Sequence, residues 1–158
     1  MKSIVALPLE PEAFRPFGDV FEAPGDYRRV YVSDALDSGR AAARPSLSVL
    51  RVKPVITPVL VATRMERHEF SSQSFIPMDA GRYLVIVAPM SATGGPDESR
   101  LMAFVAHGGQ GITYGMNVWH HPLTVLDRDA TFAITMWLDG SATDEQFVDL
   151  SAAVSVSF

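Results

Sequence analysis

Two adjacent histidines at the end of a glycine-rich segment are the first sign of chemistry in this chain. Residues 108–122 read GGQGITYGMNVWHHP and end in His120, His121 and a proline. Imidazole titrates near neutral pH and binds metals, so a histidine that a loop delivers to a strand can do either task. Successive strand residues point to opposite faces, so only one of the pair can point inward. The surrounding glycines and polar groups favour a functional His120 over one that only satisfies its hydrogen bonds in the core. We expect His107 and His121 to be structural.

Three ionisable side chains form the second candidate group. In a long predicted strand, residues two apart share a face, so Arg64, Glu66 and His68 lie together if the preceding Leu60 and Ala62 point inward. A carboxylate and an imidazole at this spacing suit metal binding or proton transfer. The alternative is that the strand end emerges into solvent, where Arg64 and Glu66 would pair only weakly.

Short strands separated by glycine and proline must position these groups. Period-2 alternation of apolar residues predicts strands over 47–53, 59–68, 83–88, 101–106, 123–126 and 131–138. Residues 12–17 predict one helical turn closed by Gly18, and the tail after Asp144 is suited to one short helix. Residues 26–44 are polar and uneven, and their structure is the hardest to predict. Many short strands with frequent turns indicate an all-β sandwich or barrel.

Composition limits the class of protein. The 158 residues fit a single domain over 1–158, and the absence of cysteine excludes disulfides, thiolate metal sites and a cysteine nucleophile. A net charge of −5 argues against a nucleic-acid partner. No apolar run is long enough to span a bilayer, and Pro8 and Pro11 interrupt the N-terminal segment before a signal-like core forms. We therefore expect a soluble, uncleaved, cytoplasmic protein with no membrane partner.

Several segments resemble one known family. ERHEFSSQSFIPM at 66–78 and NVWHHPL at 117–123 closely resemble the ureidoglycolate lyase family, a branch of the cupin superfamily. EAFRPFGDV at 12–20 and LMAFVAHGGQGITY at 101–114 are similar to the same family, so the resemblance covers most of the chain. Little matches over residues 26–44.

The resemblance implies a fold, an activity and a metal. The fold is a cupin-like jelly-roll β-barrel with one or two short helices, usually a homodimer. The activity is cleavage of ureidoglycolate to glyoxylate and urea in allantoin (purine) breakdown. Glu66 and His68 stand where cupins carry their first two metal ligands, Gln73 where they carry a glutamate, and His120 where they carry the last histidine. A divalent metal, nickel by resemblance, would then be held by His68, Gln73 and His120, with glutamine a poorer ligand than a carboxylate.

The chain also departs from the family pattern. The family usually has a basic residue or histidine around positions 115 and 116, and often glycine at 117. Here the residues are Gly115, Met116 and Asn117, and Asn117 can replace glycine because asparagine tolerates the left-handed conformation. The missing basic residue leaves open a paralogous cupin enzyme that acts on another small oxoacid. A non-catalytic barrel that binds a small molecule is the other alternative.

The bond to be broken suggests roles for these residues. Ureidoglycolate is a carbinolamide, so its cleavage needs a base for the hydroxyl proton and an acid for the departing urea nitrogen. We expect His120 to be the base and His68 or Glu66 the acid. The forked guanidinium of Arg64 would bind the substrate carboxylate. The ureido group would contact three further polar side chains, those of Gln110, Tyr114 and Asn117.

Overall fold

Two β-sheets packed face to face make up the protein. The computed structural model describes residues 2–158. In chain order its strands are β1 (Lys2–Val5), β2 (Leu7–Pro8), β3 (Gly18–Phe21), β4 (Arg44–Val52), β5 (Val59–Arg67), β6 (Gln73–Asp79), β7 (Tyr83–Ala88), β8 (Met102–Ala106), β9 (Gly111–Tyr114), β10 (Trp119–His120), β11 (Thr124–Val125), β12 (Ala130–Leu138) and β13 (Gln146–Ser157). A four-residue helix, α1, spans Pro11–Phe14, and a 3-10 turn spans Glu98–Arg100.

The order of strands shows how distant segments meet. Within residues 2–158 the first sheet has the order β1-β13-β5-β10-β7-β8-β2, with β11 also pairing with β7, and the second has the order β3-β9-β6-β12-β4. Most neighbours are antiparallel, while β1 pairs with β13 and β2 with β8 in parallel. The prediction of an all-β, jelly-roll-like barrel with one or two short helices is therefore confirmed. In this part of the chain no helix is long and apolar enough to cross a membrane.

Aromatic side chains fill the space between the sheets. Phe132 of β12 contacts Phe75 of β6 edge-on and Tyr83 of β7 edge-on, with ring centroids 6.4 Å and 5.2 Å apart. Phe14, from α1, packs edge-on against Phe104 of β8 and closes one end of this interior. Edge-to-face pairs of this kind add to the stabilisation that burial alone gives.

A second apolar cluster lies on the opposite face of the first sheet. Its members come from the middle strands and the C-terminal strand: Ala62, Met65, Ile86, Ala88, Leu101, Ala103, Trp119, Leu150, Val154 and Val156. Side chains alternate along a strand, so β7 contributes Val85 and Val87 to the interior and Ile86 to this second cluster. The central strand β7 is therefore buried on both faces.

The C-terminal segment corrects one prediction. The short helix expected after Asp144 is wrong, because residues 146–157 form the 12-residue strand β13 between β1 and β5. Val154 and Val156 alternate with serines, and both valines are buried in the second cluster. Such period-2 burial stabilises a strand, whereas a short helix would bury neither residue completely.

β5 changes face partway along its length, which corrects a second expectation. Leu60 and Ala62 were expected to share a face with Glu66, but Ala62 packs in the second cluster together with Met65, three residues later. The register of β5 against β13 shifts at this point, between Asp149 and Val154. β13 carries extra residues at this point, and such an irregularity bends the paired strands. Beyond it, the opposite face of β5 points into the barrel, and Glu66 lies on that face.

We predict that Phe132→Ala lowers the free energy of unfolding by about 3–5 kcal/mol, because a completely buried ring with two edge-on aromatic neighbours would leave a cavity. Leu47→Ala, on β4, serves as the control, since Leu47 is 70% exposed and its loss should change stability by less than about 0.5 kcal/mol. Urea unfolding followed by circular dichroism measures both. Equal effects for the two variants would contradict the described core.

Candidate active site

Two imidazoles and one carboxylate meet in the barrel interior. One ligand atom each from Glu66, His68 and His120 lies within 4.8 Å of the others. His120 pairs with Glu66 of β5 on one side and with Val87 of β7 on the other, and residues directly opposite in antiparallel strands face the same way. All three side chains are buried, His120 to 1% exposure. The two candidate groups from the sequence therefore converge.

His68 presents a nitrogen that has no partner. Its Nδ1 lies 2.9 Å from the backbone carbonyl oxygen of Asp144, so Nδ1 carries the proton and donates it. Its Nε2 is buried and has no hydrogen-bond partner within residues 2–158. Burial, together with the charge of His120, lowers the pKa of His68. The ring is therefore a neutral imidazole whose lone pair points into the cluster.

His120 faces acceptors with both of its nitrogens. Its Nε2 lies 3.2 Å from Oε1 of Glu66 and 3.2 Å from Oε1 of Gln73, while Nδ1 lies 2.9 Å from the Val118 carbonyl oxygen. Burial alone would raise the pKa of Glu66, but the hydrogen bond and charge of His120 outweigh it and lower that pKa. Nε2 of His120 therefore lies between two oxygen acceptors, to which an N–H on this nitrogen would donate, whereas Nε2 of His68 has no protein partner among the described residues.

The ring of Tyr114 fixes the plane of His120. The two rings are stacked with their centroids 4.0 Å apart and an interplanar angle of 16°. Burial raises the pKa of Tyr114 well above its ordinary value, so the phenol stays neutral. Because a stacked ring cannot rotate without losing this contact, Tyr114 restricts His120 to a single orientation.

Asn117 supports the turn next to His68. Its φ of 64° is left-handed, the conformation that the sequence predicted this asparagine to tolerate. Its backbone N–H donates to the His68 carbonyl oxygen at 2.8 Å, and its side-chain Oδ1 accepts a hydrogen bond from Nη1 of Arg67 at 2.9 Å. Asn117 therefore acts on the backbone of the site, and its side-chain oxygen is already engaged.

Gln110 lies away from the cluster, which corrects its expected position. Its amide nitrogen donates to the Leu9 carbonyl oxygen at 3.1 Å, and its side-chain oxygen accepts from the His107 backbone N–H at 3.1 Å. A row of edge-on aromatic pairs separates it from the site, running from Tyr114 through Phe75 and Phe132 to Tyr83, whose hydroxyl donates to the Gln110 carbonyl. This placement gives Gln110 a structural role.

Arg64 lies two residues before Glu66 on β5. Alternation places it on the same face of β5 as Glu66, but its side chain is 54% exposed. Its Nη2 lies 3.4 Å from Oδ1 of Asp149, and the guanidinium sits 5.4 Å from the centre of the Phe147 ring. Arg64 was expected to point inward, where it would bind the substrate carboxylate. In the structure its side chain is instead an exposed cation, roughly 7 Å along the strand from Glu66.

The remaining histidines have the structural surroundings expected of them. Nε2 of His107 lies 3.4 Å from a carboxylate oxygen of Glu22, and both side chains are largely exposed. Nδ1 of His121 lies 2.9 Å from the Pro122 carbonyl oxygen and 3.2 Å from the hydroxyl of Thr124. Burial lowers the pKa of His121. Neither ring is part of the cluster.

A spacious cavity lies outside the cluster. It has a volume of about 700 Å³ and lies beyond the 116–118 segment, with Met90, Met102, Met116 and Arg100 among its walls. None of the three ligand groups lines it. We assign the chemistry to the packed cluster, because unsatisfied and ionisable groups distinguish a functional site better than volume does.

The donors in the cluster fit a divalent metal. A bare imidazole nitrogen on His68, a second imidazole on His120 and the carboxylate of Glu66 are the ligand types that zinc, nickel and manganese accept. Both histidines hold Nδ1 against a backbone carbonyl, which is how protein scaffolds orient metal-binding imidazoles. The Gln73 carboxamide oxygen is a neutral neighbour of His120, and its nitrogen faces Sδ of Met136 at 3.8 Å.

Sequence reasoning missed one charged residue near the cluster. Glu145 precedes β13, and burial together with the charge of Glu66 raises its pKa. No short-range motif marks this residue, because it comes from the tail where a helix was expected. The contact between its neighbour Asp144 and His68 joins residues 76 apart in sequence.

A jelly-roll barrel with two histidines and a glutamate gathered in its interior defines a cupin-type protein. One solved structure with this fold is a dTDP sugar isomerase from Desulfovibrio desulfuricans G20, with a TM-score of 0.53 and 14% identity over 86% of this chain and 84% of that chain. The model of the ureidoglycolate lyase family matches residues 1–156. The chain therefore belongs to the ureidoglycolate lyase family.

Curated relatives agree with this family assignment. A relative from Agrobacterium fabrum is 38% identical over 157 residues, covering 99% of this chain and 96% of its own. A ureidoglycolate lyase from Burkholderia cepacia is 41% identical over 136 residues, which is 80% of this chain and 75% of its own. One from Brucella anthropi is 36% identical over 143 residues, with 85% and 82% covered.

We predict that the protein binds Ni²⁺ or Mn²⁺ and that His68→Asn weakens binding by more than about tenfold, since an oriented ligand is lost. Binding should also release protons and strengthen as pH rises, because imidazole and carboxylate ligands bind a metal only when they are deprotonated. Calorimetric titration in two buffers of different ionisation enthalpy measures affinity and proton release. His107→Asn is the control, and failure of the wild type to bind any divalent metal would contradict a metal site.

We further predict that acidification destabilises the fold in the range where histidine titrates. Burial lowers the folded-state pKa of both His68 and His121, so near pH 6.5 and below the unfolded chain binds more protons than the folded one. The free energy of unfolding therefore decreases as the pH is lowered. His121→Gln should reduce this slope. Urea unfolding between pH 7.5 and 5.5 tests the sign, and an unchanged slope in the variant would contradict it.

Proposed function

We propose that the protein is a ureidoglycolate lyase that converts ureidoglycolate to glyoxylate and urea. The observation that carries the proposal is the buried cluster itself, in a chain of this family. In it Nε2 of His68 has no protein partner in the part of the chain that the structure describes, while Nε2 of His120 lies 3.2 Å from the Gln73 oxygen, where it would donate. A proton acceptor and a proton donor that face one small space are the two groups this reaction needs.

The reaction moves one proton off the substrate and one proton onto it. A base removes the proton of the carbon-bound hydroxyl, and the oxygen electrons form the carbonyl of glyoxylate. The bond from that carbon to the ureido nitrogen then breaks, and the nitrogen takes its electron pair. An acid protonates the nitrogen, which leaves as urea. The two side chains return to their starting states when the proton passes from base to acid.

The geometry favours the reverse of the roles first expected for the two histidines. His68 holds its only proton on Nδ1 against Asp144, so its free Nε2 suits the base. His120 presents N–H toward Glu66 and Gln73, which suits the acid. Glu66 then stabilises the protonated His120 ring through charge rather than serving as the acid itself. Each proton transfer contributes on the order of 10²- to 10⁴-fold to the rate.

Neutral and cationic groups around the cluster would hold the substrate. The Gln73 carboxamide, beside His120, matches the donors and acceptors of a ureido group, and Tyr114 keeps the acid in place. Arg64 is the proposed contact for the substrate carboxylate, because its fork matches two oxygens and its present contact with Asp149, 3.4 Å long, lies at an exposed rim. Asn117 orients the backbone at His68 rather than binding substrate directly.

A divalent metal would occupy the same donor atoms, so metal binding and direct proton transfer by the two histidines are alternatives. Glu66, His68 and His120 would hold it, with Gln73 as a weak neutral neighbour. When bound, such an ion lowers the pKa of a substrate hydroxyl and offsets its developing charge. Nickel as the metal, a homodimer, a cytoplasmic location and a place in allantoin breakdown all remain predictions from the family resemblance.

We predict that the wild type forms glyoxylate from racemic ureidoglycolate, and that His68→Ala and His120→Ala each lower kcat by at least about 10²-fold, because each removes one proton-transfer group. His107→Ala is the matched control, since that ring is largely exposed and pairs with Glu22. Glyoxylate is measured by a coupled assay with and without added metal, and circular dichroism checks folding.

The alternatives give different results in this assay. Full activity of His120→Ala would contradict the proposed chemistry. A wild type that is inactive under every metal, yet binds a small oxoacid, would favour the paralogous enzyme that Gly115 and Met116 leave open. Ligand binding that survives His120→Ala without any turnover would favour the non-catalytic barrel.

A further inference from the structure

Arg40 is a nearly buried cation on the segment that precedes β4. Its side chain is 16% exposed, and its Nη1 lies 2.8 Å from Oδ2 of Asp139 and 3.2 Å from Oδ1 of Asp144. Its other terminal nitrogen bonds to the backbone oxygen and the hydroxyl of Thr143. One guanidinium therefore holds together a loop that starts about 100 residues later in the chain.

The loop that Arg40 holds carries the partner of His68. Within it, the carboxylate of Asp144 accepts the backbone N–H groups of Asp139 at 3.2 Å and Gly140 at 2.7 Å. The backbone N–H of Asp144 donates to the Ser141 carbonyl oxygen at 3.1 Å. These bonds orient residue 144 so that its own carbonyl oxygen meets Nδ1 of His68 at 2.9 Å.

Arg40 also contacts the turn that follows His68. Its guanidinium lies over the Phe70 ring, 4.1 Å from the centroid, and the neighbouring Gly39 donates its N–H to the Phe70 carbonyl oxygen at 2.9 Å. The same segment continues to Ser72, whose N–H donates to the Asp37 carbonyl oxygen at 3.0 Å. Arg40 thus joins the Asp144 loop and the Phe70 turn, on either side of His68.

We propose that Arg40 is a positioning residue that keeps the Asp144 carbonyl on Nδ1 of His68 and so leaves Nε2 of His68 bare toward Glu66 and His120. Without the guanidinium, the carboxylates of Asp139 and Asp144 would face each other without a counter-charge, and the loop would open. Nδ1 would lose its acceptor, the imidazole proton would be free to move to Nε2, and the nitrogen that should accept a proton or a metal would become a donor.

The expected effect of Arg40 on catalysis rests on the proposed lyase function, whereas its effect on the His68 tautomer does not. The direct readout is therefore the long-range ¹H–¹⁵N correlation spectrum of His68, which reports which ring nitrogen carries the proton. Arg40→Met keeps the length of the stem and removes the charge and fork. Arg40→Lys keeps the charge but cannot hold two carboxylates in one plane. Arg82→Met is the matched control, because Arg82 also binds a loop aspartate, Asp127, through several bonds.

We expect the wild type and Arg82→Met to show Nδ1 protonated and Nε2 bare, Arg40→Met a mixture of both tautomers, and Arg40→Lys an intermediate spectrum. In parallel, Ni²⁺ affinity and kcat should fall roughly tenfold in Arg40→Met, the lower part of the range for residues that orient ligands. KM should change little, since Arg40 contacts no proposed substrate group.

Two outcomes would overturn the proposal. The first is an unchanged His68 tautomer in a folded Arg40→Met or, if that variant does not fold, in Arg40→Lys. The second is a loss of unfolding free energy without any change in tautomer, which would mark Arg40 as purely structural. A wild type with no lyase activity would count against the proposed function alone, because the tautomer comparison needs no substrate.

Discussion

The bare nitrogen of His68 is the constraint on which the site depends. A buried acceptor without a donor costs about 1–3 kcal/mol, and here that nitrogen has no partner within residues 2–158. Native structures keep a buried polar group without a partner mainly where that group has a functional role. The nearby groups fit this view: Asp144 occupies the other nitrogen, and Glu66 and His120 satisfy each other. The one nitrogen of His68 that no protein group within residues 2–158 satisfies thus lies where the proposed chemistry needs an acceptor.

The barrel is what makes this arrangement possible. His120 sits in a two-residue strand that pairs with β5 on one side and β7 on the other, so the imidazole reaches the interior only when the sheet is complete. Tyr114, from the second sheet, stacks on the ring from across the barrel. Both sheets are therefore needed to define a single ring orientation, and no short segment of the chain could do so alone.

The sequence predicted the strands and the two groups of candidate site residues well, because both follow from residues that lie close together along the chain. The two-residue spacing of Glu66 and His68 is a direct property of a strand, and the glycine-rich segment before His120 is readable as a turn. The inward direction of Arg64 and the position of Gln110 were not predictable. The first depends on a register shift against β13, and the second on aromatic packing across the core. Arg40 lies in residues 26–44, whose sequence left open an irregular strand pair or a loop over the site, and its partners are about 100 residues away.

The position of β13 has a consequence for how the chain acquires its structure. This last strand lies between β1 and β5 and pairs residues 79 apart or more, so a nascent chain still without it exposes the edge of β5 and the apolar surface around Met65. Non-local pairing of this kind folds slowly and leaves aggregation-prone edges during synthesis. Residues 146–157 must therefore be synthesised before β5 is paired on both sides, and removal of β13 would leave this edge exposed.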